Sequence, residues 1–481
     1  MNVLAIDQGT SATKALLVGP GAEVLGRGEV PVRTRSVGAD GVEADPEELL
    51  ASVVAAGRQA LAGKGGGEVG GAPAHAVALA NQGETVLAWD RSTGTPLTSA
   101  IVWQDRRAGG VCARLADRAA ELAAITGLPL DPYFAAPKMT WLRENLTADG
   151  TVTTTDTWLL HRLGAGYVTD AATASRTMLL DLDSVAWSAA ACAAFGLDPA
   201  ALPAVADCAG IVGETSLFGP ALPIAGIAVD QQAALLAEGC LAAGDAKCTY
   251  GTGAFLLVTT GSVAVRSSSG LSSSVAWRLG GATTYCLDGQ VYTAGSALRW
   301  LTGIGVLGAP SELDAVGETV PDAGGVIFVP ALAGLGAPHW APAARGLLTG
   351  LNLGTERGHL ARAVAEGIAA SVALLVSAAC ADLGRPLTSL RVDGGLTRSR
   401  LLMQAQADLL QRPVLICRAP DATALGVAAL ARLGAGDASC AGQALGAAEV
   451  EAIVEPQITA DEAAERNSAF RSALALTLAG R

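Results

Sequence analysis

Twice in this chain a short apolar strand runs into a turn built from Gly and Thr, and a second apolar strand leads away from it. The first copy opens the chain, Ala5-Ile6-Asp7-Gln8-Gly9-Thr10-Ser11-Ala12-Thr13-Lys14-Ala15-Leu16-Leu17-Val18. The second is Lys247-Cys248-Thr249-Tyr250-Gly251-Thr252-Gly253-Ala254-Phe255-Leu256-Leu257-Val258. Glycine supplies the free torsions of each turn. The backbone amides around it, with the hydroxyls of Thr10 and Ser11, form a concave donor surface suited to phosphate oxygens, and Asp7 could hold a divalent cation through water. One such turn alone could equally be a polar hairpin. Two, each followed by further short strands, point to a duplicated α/β unit with a nucleotide in the cleft between the copies.

At 481 residues the chain is too long for one ordinary core; roughly 100 to 250 residues per domain gives two large domains or three smaller ones. A hydrophobic content of 51% with 16% charged residues is globular, and a net charge of −13 argues against a nucleic-acid partner. The nine cysteines are scattered, odd in number and never arranged C-x-x-C, so neither a disulfide framework nor a zinc site is indicated and a reducing cytoplasm fits best. Asp7 interrupts the only early apolar run and no basic n-region precedes it, so no signal peptide is expected. The most apolar segment, Gly367 to Ala381, lies between Glu366 and Asp382. It is shorter than the roughly 20 residues of a membrane span and reads as a buried core helix.

Along the chain, Glu23-Val24-Leu25 and Glu29-Val30-Pro31-Val32 extend the opening turn into an antiparallel meander, where a Rossmann fingerprint would need a helix. Asp45-Pro46-Glu47-Glu48 is a helix start for a run to Leu61, and Gly63 to Pro73 reads as a flexible loop. Ala76 to Ala80 is a buried strand that delivers Asn81-Gln82-Gly83-Glu84-Thr85 at its carboxyl end, where α/β sheets place ligands. Gly110 to Thr147 reads as helical with a break at Gly127-Leu128-Pro129 that puts Tyr133 on a loop. The strand Leu222 to Val229 ends in Asp230, and Leu390 to Gly395 is a strand running into Gly-Gly. Helices are expected at Ser399 to Leu410, Asp421 to Leu433 and Asp461 to Leu478. The expected division is residues 1–239, residues 240–450 and a C-terminal helix in 451–481. Taken singly, Trp103 and Phe255 read as core, Glu84 and Asp105 as solvated acids, Arg106-Arg107 as a surface pair and Asp393 as a helix cap.

Taken in order, Asp7-Gln8-Gly9-Thr10, Asn81-Gln82-Gly83-Glu84-Thr85, Ile101-Val102-Trp103-Gln104, Asp230-Gln231-Gln232-Ala233-Ala234-Leu235, Thr249-Tyr250-Gly251-Thr252-Gly253, Ala344-Arg345-Gly346 and Val392-Asp393-Gly394-Gly395 give the chain a likeness no single motif carries. It resembles the FGGY family of carbohydrate kinases over nearly its whole length, and within it the glycerol-kinase branch. The resemblance implies two actin-like (ribonuclease H-like) domains, each a mixed sheet flanked by helices, that enclose ATP, Mg2+ and a small polyol or sugar, in an enzyme that could be a homo-oligomer. It implies Asp230 as catalytic base and Asp7 as the water-mediated Mg2+ ligand. Thr10, Ser11, Lys14 and Thr252 fall on the phosphate side and Gly295, Gly395 and Ser399 on the nucleoside side. Gly83, Glu84, Trp103, Tyr133, Gln231 and Phe255, with Asp230, line the polyol. Such a set suffices for phosphoryl transfer, which needs positioning and charge neutralisation more than covalent help.

The departures sharpen the expectation. Gly83 stands where the glycerol-kinase branch carries an Arg that would grip hydroxyls in a bidentate way. Its absence is expected to weaken glycerol binding and open space for a larger polyol or ketose, with a pentulose (xylulose-type) kinase as the alternative. Ser399 replaces an Asn. The short loop Ser216-Leu217-Phe218-Gly219-Pro220 lacks the Gly-rich, Arg-bearing segment for fructose bisphosphate control. A non-catalytic sugar-responsive regulator on the same fold is a reading from another class, and an actin-like filament is disfavoured by Glu84, Trp103 and Asp230.

Overall fold

The computed structural model describes residues 1–63, 73–417, 421–446 and 449–479; most of the Gly63 to Pro73 segment expected as a loop lies outside the described residues. Two half-sheets organise the chain. The first contains β1 (Val3–Gln8), β2 (Ala12–Val18), β3 (Val24–Pro31), β4 (Ala76–Asn81), β5 (Ala209–Thr215) and β6 (Leu222–Val229) in the order β5-β6-β4-β1-β2-β3. The second contains β7 (Ala246–Tyr250), β8 (Ala254–Gly261), β9 (Ser272–Leu279), β10 (Ala282–Val291), β11 (Leu390–Asp393), β12 (Val414–Cys417) and β13 (Val450–Val454) in the order β13-β12-β11-β7-β8-β10-β9. They touch edge to edge through one parallel pair, Ala209 with Leu279, so the sheet is continuous across the molecule. Each half has the same plan, with parallel strands (β1, β4 and β6; β7, β11 and β12) beside an antiparallel meander.

The two strands expected between Glu23 and Val32 are one strand, β3. Gly26 and Gly28 do not break it; they admit helix α1 (Pro46–Leu61), because a Cβ on them would stand 2.0 Å from the Ala60 carbonyl oxygen and 2.1 Å from that of Ala56. Asp45 caps α1 as expected, accepting the Glu47 amide at 2.9 Å. The remaining helices that matter below are α2 (Ala135–Asn145), α3 (Ala171–Ser175), α4 (Asp230–Ala237), α5 (Gly295–Gly303), α6 (Arg357–Leu383), α7 (Arg400–Leu410), α8 (Ala422–Gly434) and α9 (Ala460–Ala479). Helix α6 is long and apolar enough to cross a membrane, but most of that window is buried inside the second half. The segment expected only as a C-terminal helix also supplies β13, which pairs antiparallel with β12 before α9 packs Phe470, Ala473 and Leu474 into the second core.

One helix crosses the division. Helix α8 lies between β12 and β13 of the second half-sheet in sequence, yet packs on β1, β4 and β6 of the first and against α4. Glycine makes the approach possible. A Cβ on Gly426 would stand 1.8 Å from the Ala233 carbonyl oxygen of α4, one on Gly434 2.0 Å from Ala225 O, and one on Gly226 of β6 2.5 Å from Ala431 N. Since α4 begins at Asp230, this contact sets where that carboxylate sits. Gly426→Ala must push α8 off α4, and overpacking of this kind costs about 1 to 3 kcal/mol. Urea denaturation should show that loss, with Gly442→Ala, where a Cβ meets nothing within 4 Å, as the silent control.

Candidate active site

The carboxyl ends of β1, β4 and β6 lie side by side. Gln8 pairs with Asn81 and Asn81 with Val229, so the next residues of each strand, Gly9, Gln82 and Asp230, emerge together. On β1 the turn is closed by the Gly9 amide on the Ala12 carbonyl at 3.1 Å. Thr10 is held from two sides: its hydroxyl donates to Gln82 Oε1 and accepts from Trp103 Nε1, both at 2.9 Å. Ser11 is exposed on the turn. Lys14 Nζ stands 3.7 Å from Asp421, the residue before α8, which Arg27 also pairs. Burial and the Asp230 carboxylate push the Asp7 carboxyl up to about 7, with Lys14 opposing and Asp421 adding to the rise.

The second turn is stacked on two other loops. The Gly251 amide donates to the Gly253 carbonyl at 2.9 Å, and Thr252 is exposed. The Gly295 amide, at the start of α5, bonds Gly251 O at 3.0 Å, and a Cβ there would stand 2.7 Å from that oxygen. Gly394, at φ +95°, packs against the Tyr250 backbone, where a Cβ would be 2.4 Å from its oxygen. Gly395 faces open space. Thr252, Gly295 and Gly395 are thus brought together. The Ser399 hydroxyl is committed elsewhere: it caps α7 on the Leu402 amide at 3.1 Å and hydrogen-bonds Asp314. Asp393 is no cap; it is buried beside Glu238, whose carboxyl burial and the Asp393 charge push far above its usual range.

The residues expected on the polyol side converge as an aromatic wall over buried charge. Trp103 meets the Tyr133 ring edge-on at 5.7 Å and the Phe255 ring at 6.3 Å. Tyr133 is fixed by its loop, because Lys138 in α2, 0% exposed, donates to the carbonyls of Pro132 (2.9 Å), Tyr133 and Phe134 (2.7 Å). Asp131 accepts the Tyr133 amide at 2.8 Å and pairs with Arg106 at 2.8 Å. Asp105 is fully buried and holds Arg107 at 2.7 Å, so neither a solvated acid nor a surface pair is found there. Glu84 is also buried, at φ +57°, with Arg176 Nε 2.6 Å away. The other face of that guanidinium reaches Asp288 of β10 at 2.7 Å, and its carbon lies 5.8 Å from the Tyr133 ring centroid. Arg176, directly after α3, was missed in the sequence because nothing local marks it; its two partners, Glu84 after β4 and Asp288 in β10, are distant in sequence.

Gly83 does not border the open space expected of it. A Cβ there would stand 2.8 Å from Val229 Cγ2, so the neighbouring strand already fills part of that volume. Asp230 itself accepts the Gln231 amide at 2.7 Å, and burial raises its pKa against the lowering effect of Gln231, Lys247 and Arg176. Gln231 Oε1 in turn accepts from Lys247 Nζ at 2.8 Å.

Two half-sheets of one plan, each offering a Gly-Thr turn to a cleft with a carboxylate at its floor, define a phosphotransferase of the actin-like class. The comparisons place it further. The N-terminal domain model of the FGGY family of carbohydrate kinases matches residues 2–237 and the C-terminal domain model residues 246–435. Glycerol kinase of Thermus brockianus is 44% identical over 90% of each chain, and that of Bordetella parapertussis 41% identical over 99% of this chain and 97% of its own. Among solved structures, Plasmodium falciparum glycerol kinase with ADP superposes at TM-score 0.91, 29% identical over 99% of this chain and 98% of that one. Xylulose kinase of Rhodospirillum rubrum superposes at 0.86, 25% identical over 100% and 99%. The chain belongs to the FGGY family of carbohydrate kinases, phosphotransferases that use ATP and an alcohol acceptor.

Two outcomes are expected at the cleft floor. Arg176→Met strands two buried carboxylates and should cost about 3 to 5 kcal/mol in denaturant titrations. Because the folded Asp7 pKa of about 7 exceeds its usual 3.8, the fold holds a proton that the unfolded chain lacks, and stability drains away as pH rises through that interval. Without ligand, Asp7→Asn should therefore be more stable than wild type at pH 8, with the advantage shrinking as pH falls and vanishing only below the unfolded value of 3.8, measured by thermal unfolding.

Proposed function

We propose that this protein transfers the γ-phosphoryl group of ATP to a hydroxyl of a small polyol, glycerol or one near its size, with Asp230 as general base. The observation that carries the reading is the shared strand end at which Asp7, Gln82 to Glu84 and Asp230 emerge together, with the aromatic wall beside them. The two turns cradle the phosphates through Thr10, Ser11 and Thr252, and Gly295 and Gly395 leave room for the nucleoside. Ser399 supports that side through its cap. Lys14 reaches the phosphates from its pairing distance to Asp421. Glu84 accepts from acceptor hydroxyls, and Trp103, Tyr133 and Phe255 cover the carbon face.

The residues present fit Mg2+. Asp7 carries a carboxyl that burial, and then its neighbours Asp230 and Asp421, destabilise as an anion, an arrangement a cation would relieve. Among the described residues no group of three or more His, Cys, Asp or Glu forms a metal cage, and Mg2+ is usually held by one or two carboxylates, water and phosphate. Bound there it would neutralise charge on the transferring phosphoryl. Asp230 takes the proton of the attacking hydroxyl, and the raised pKa makes it a stronger base than an exposed Asp. The nine cysteines, all free, suit a cytoplasmic enzyme.

A second reading, a four- or five-carbon polyol or a pentulose as acceptor, is favoured by the missing side chain at Gly83 and opposed by Val229, which occupies the adjoining space. A coupled ADP-release screen of glycerol, tetritols, pentitols and pentuloses separates them: the highest kcat/KM should fall on glycerol, and a tetritol, pentitol or pentulose optimum would reverse the assignment. Asp230→Asn should lower kcat by about 10² to 10⁴-fold with ATP binding intact. Wild-type turnover in that variant would remove Asp230 from the mechanism.

A further inference from the structure

Lys138 sits near the amino end of α2 with no exposure to water. The start of a helix is its electropositive end and disfavours a cation, so helix stability alone would not place an ammonium there. Nor do the neighbouring carboxylates need it for charge balance. Glu84 is paired with Arg176 at 2.6 Å, Asp105 with Arg107 at 2.7 Å and Asp131 with Arg106 at 2.8 Å. What the ammonium holds is backbone: it donates to the carbonyls of Pro132 at 2.9 Å, of Tyr133, and of Phe134 at 2.7 Å. Hydrogen bonds from a charged donor are stronger than neutral ones, and three of them fall on successive residues of one loop.

That loop carries two rings. Tyr133 meets Trp103 at 5.7 Å, Phe134 meets Trp340 of the second half at 5.9 Å, and the two rings stand edge-on to each other at 5.2 Å. We propose, on the reading of Tyr133 as part of the acceptor wall, that Lys138 is a positioning residue for the acceptor: by gripping the carbonyls of Pro132, Tyr133 and Phe134 it keeps the wall formed while the cleft is empty. Binding then does not have to order those side chains, a cost that otherwise weakens affinity. A purely structural role for Lys138 is the competing account. It would appear as lost stability or as a loss of turnover, with no selective effect on the acceptor.

Steady-state kinetics of the full-length protein with glycerol and ATP separate the two. Lys138→Met should raise the glycerol KM about tenfold, because two side chains must then be ordered by the acceptor itself, while kcat and the ATP KM stay near wild type. Tyr133→Leu should raise the glycerol KM as well, and the double variant should fall short of the product of the two single effects, since both act through one ring. A wild-type glycerol KM in Lys138→Met, an equal loss in kcat or ATP KM, or fully multiplicative losses in the double variant would each overturn the proposal. If Lys138→Met fails to fold, the pH dependence of glycerol binding decides. Burial pushes the Lys138 ammonium down to about 7; Glu84, Asp105 and Asp131 oppose that fall, Arg106 adds to it, and the Cys112 thiol also faces it. Loss of the charge weakens the grip, so the glycerol dissociation constant, measured by calorimetry, should rise as pH passes through about 7 in wild type but not in Tyr133→Leu. Proton loss from Glu84 or Asp230 would act in the opposite sense by strengthening them as acceptors. A wild-type constant that does not rise overturns the proposal. Failure of the underlying reading is seen separately, as an unchanged glycerol KM in Tyr133→Leu.

Discussion

A single guanidinium without access to water holds the floor of the cleft. Arg176 reaches it from the residue after α3 and is gripped by Glu84, which follows β4 of the first half, and by Asp288 of β10 in the second. All three are nearly excluded from solvent. Such a triad contributes little net stability over an apolar replacement, but it cannot lose one member cheaply, because the others remain charged and desolvated. Its consequence is geometric. It allows Glu84 to persist at a positive φ that an L residue rarely adopts, and it places a cation near the Tyr133 ring. The side proposed for the acceptor is therefore held by electrostatics, whereas the side proposed for the phosphates is held by backbone packing of glycines against carbonyls at Gly295 and Gly394.

The two halves are coupled by more than that triad. The sheet is continuous through Ala209 and Leu279, and α8 belongs by sequence to the second half while packing on the first. Its glycine contacts with α4 and β6 leave no room for a slip of even one methyl group. Asp230, the base on the proposed reading and the first residue of α4, is thus located by a helix that starts beside Asp421, the partner of Lys14 and Arg27. On the proposed reading, the first phosphate turn and the base are therefore tied to each other through α8 and Asp421. That coupling is what a kinase needs if the carboxylate is to engage an acceptor only when phosphates are seated.

The parts of this arrangement that were legible in the sequence are those whose chemistry is local. A Gly-Thr turn announces itself because the residues that bend the chain are also the residues that would meet phosphate, and Asp230 follows its strand directly. The repeat of that pattern led to the duplicated mixed sheet. What stayed hidden depends on residues distant in sequence. Arg176 lies in an unremarkable run, and Lys247 looks like one more strand residue until Gln231 is found opposite it. Val229 is likewise invisible as the neighbour of Gly83 before the parallel register of β4 and β6 is known. Gly26 and Gly28 misled for the opposite reason: glycine usually punctuates strands, but here it makes room for α1.

Acceptor choice follows from these hidden contacts more than from the motifs. The missing side chain at residue 83 suggests a roomier site when read alone. In the fold, Val229 Cγ2 stands 2.8 Å from where a Cβ would go, so a neighbouring strand already crowds part of the space beside Gly83. Arg176, the cation that pairs with Glu84, is already divided between two carboxylates, which leaves it little capacity to replace a lost bidentate grip on hydroxyls. On the proposed reading, the acceptor is then held by Glu84 and the base through hydrogen bonds and by Trp103, Tyr133 and Phe255 through contact with its carbon face. Such a site distinguishes acceptors by length and shape more than by the number of hydroxyls, because an aromatic wall measures carbon surface while a single carboxylate can satisfy only the hydroxyls within its reach.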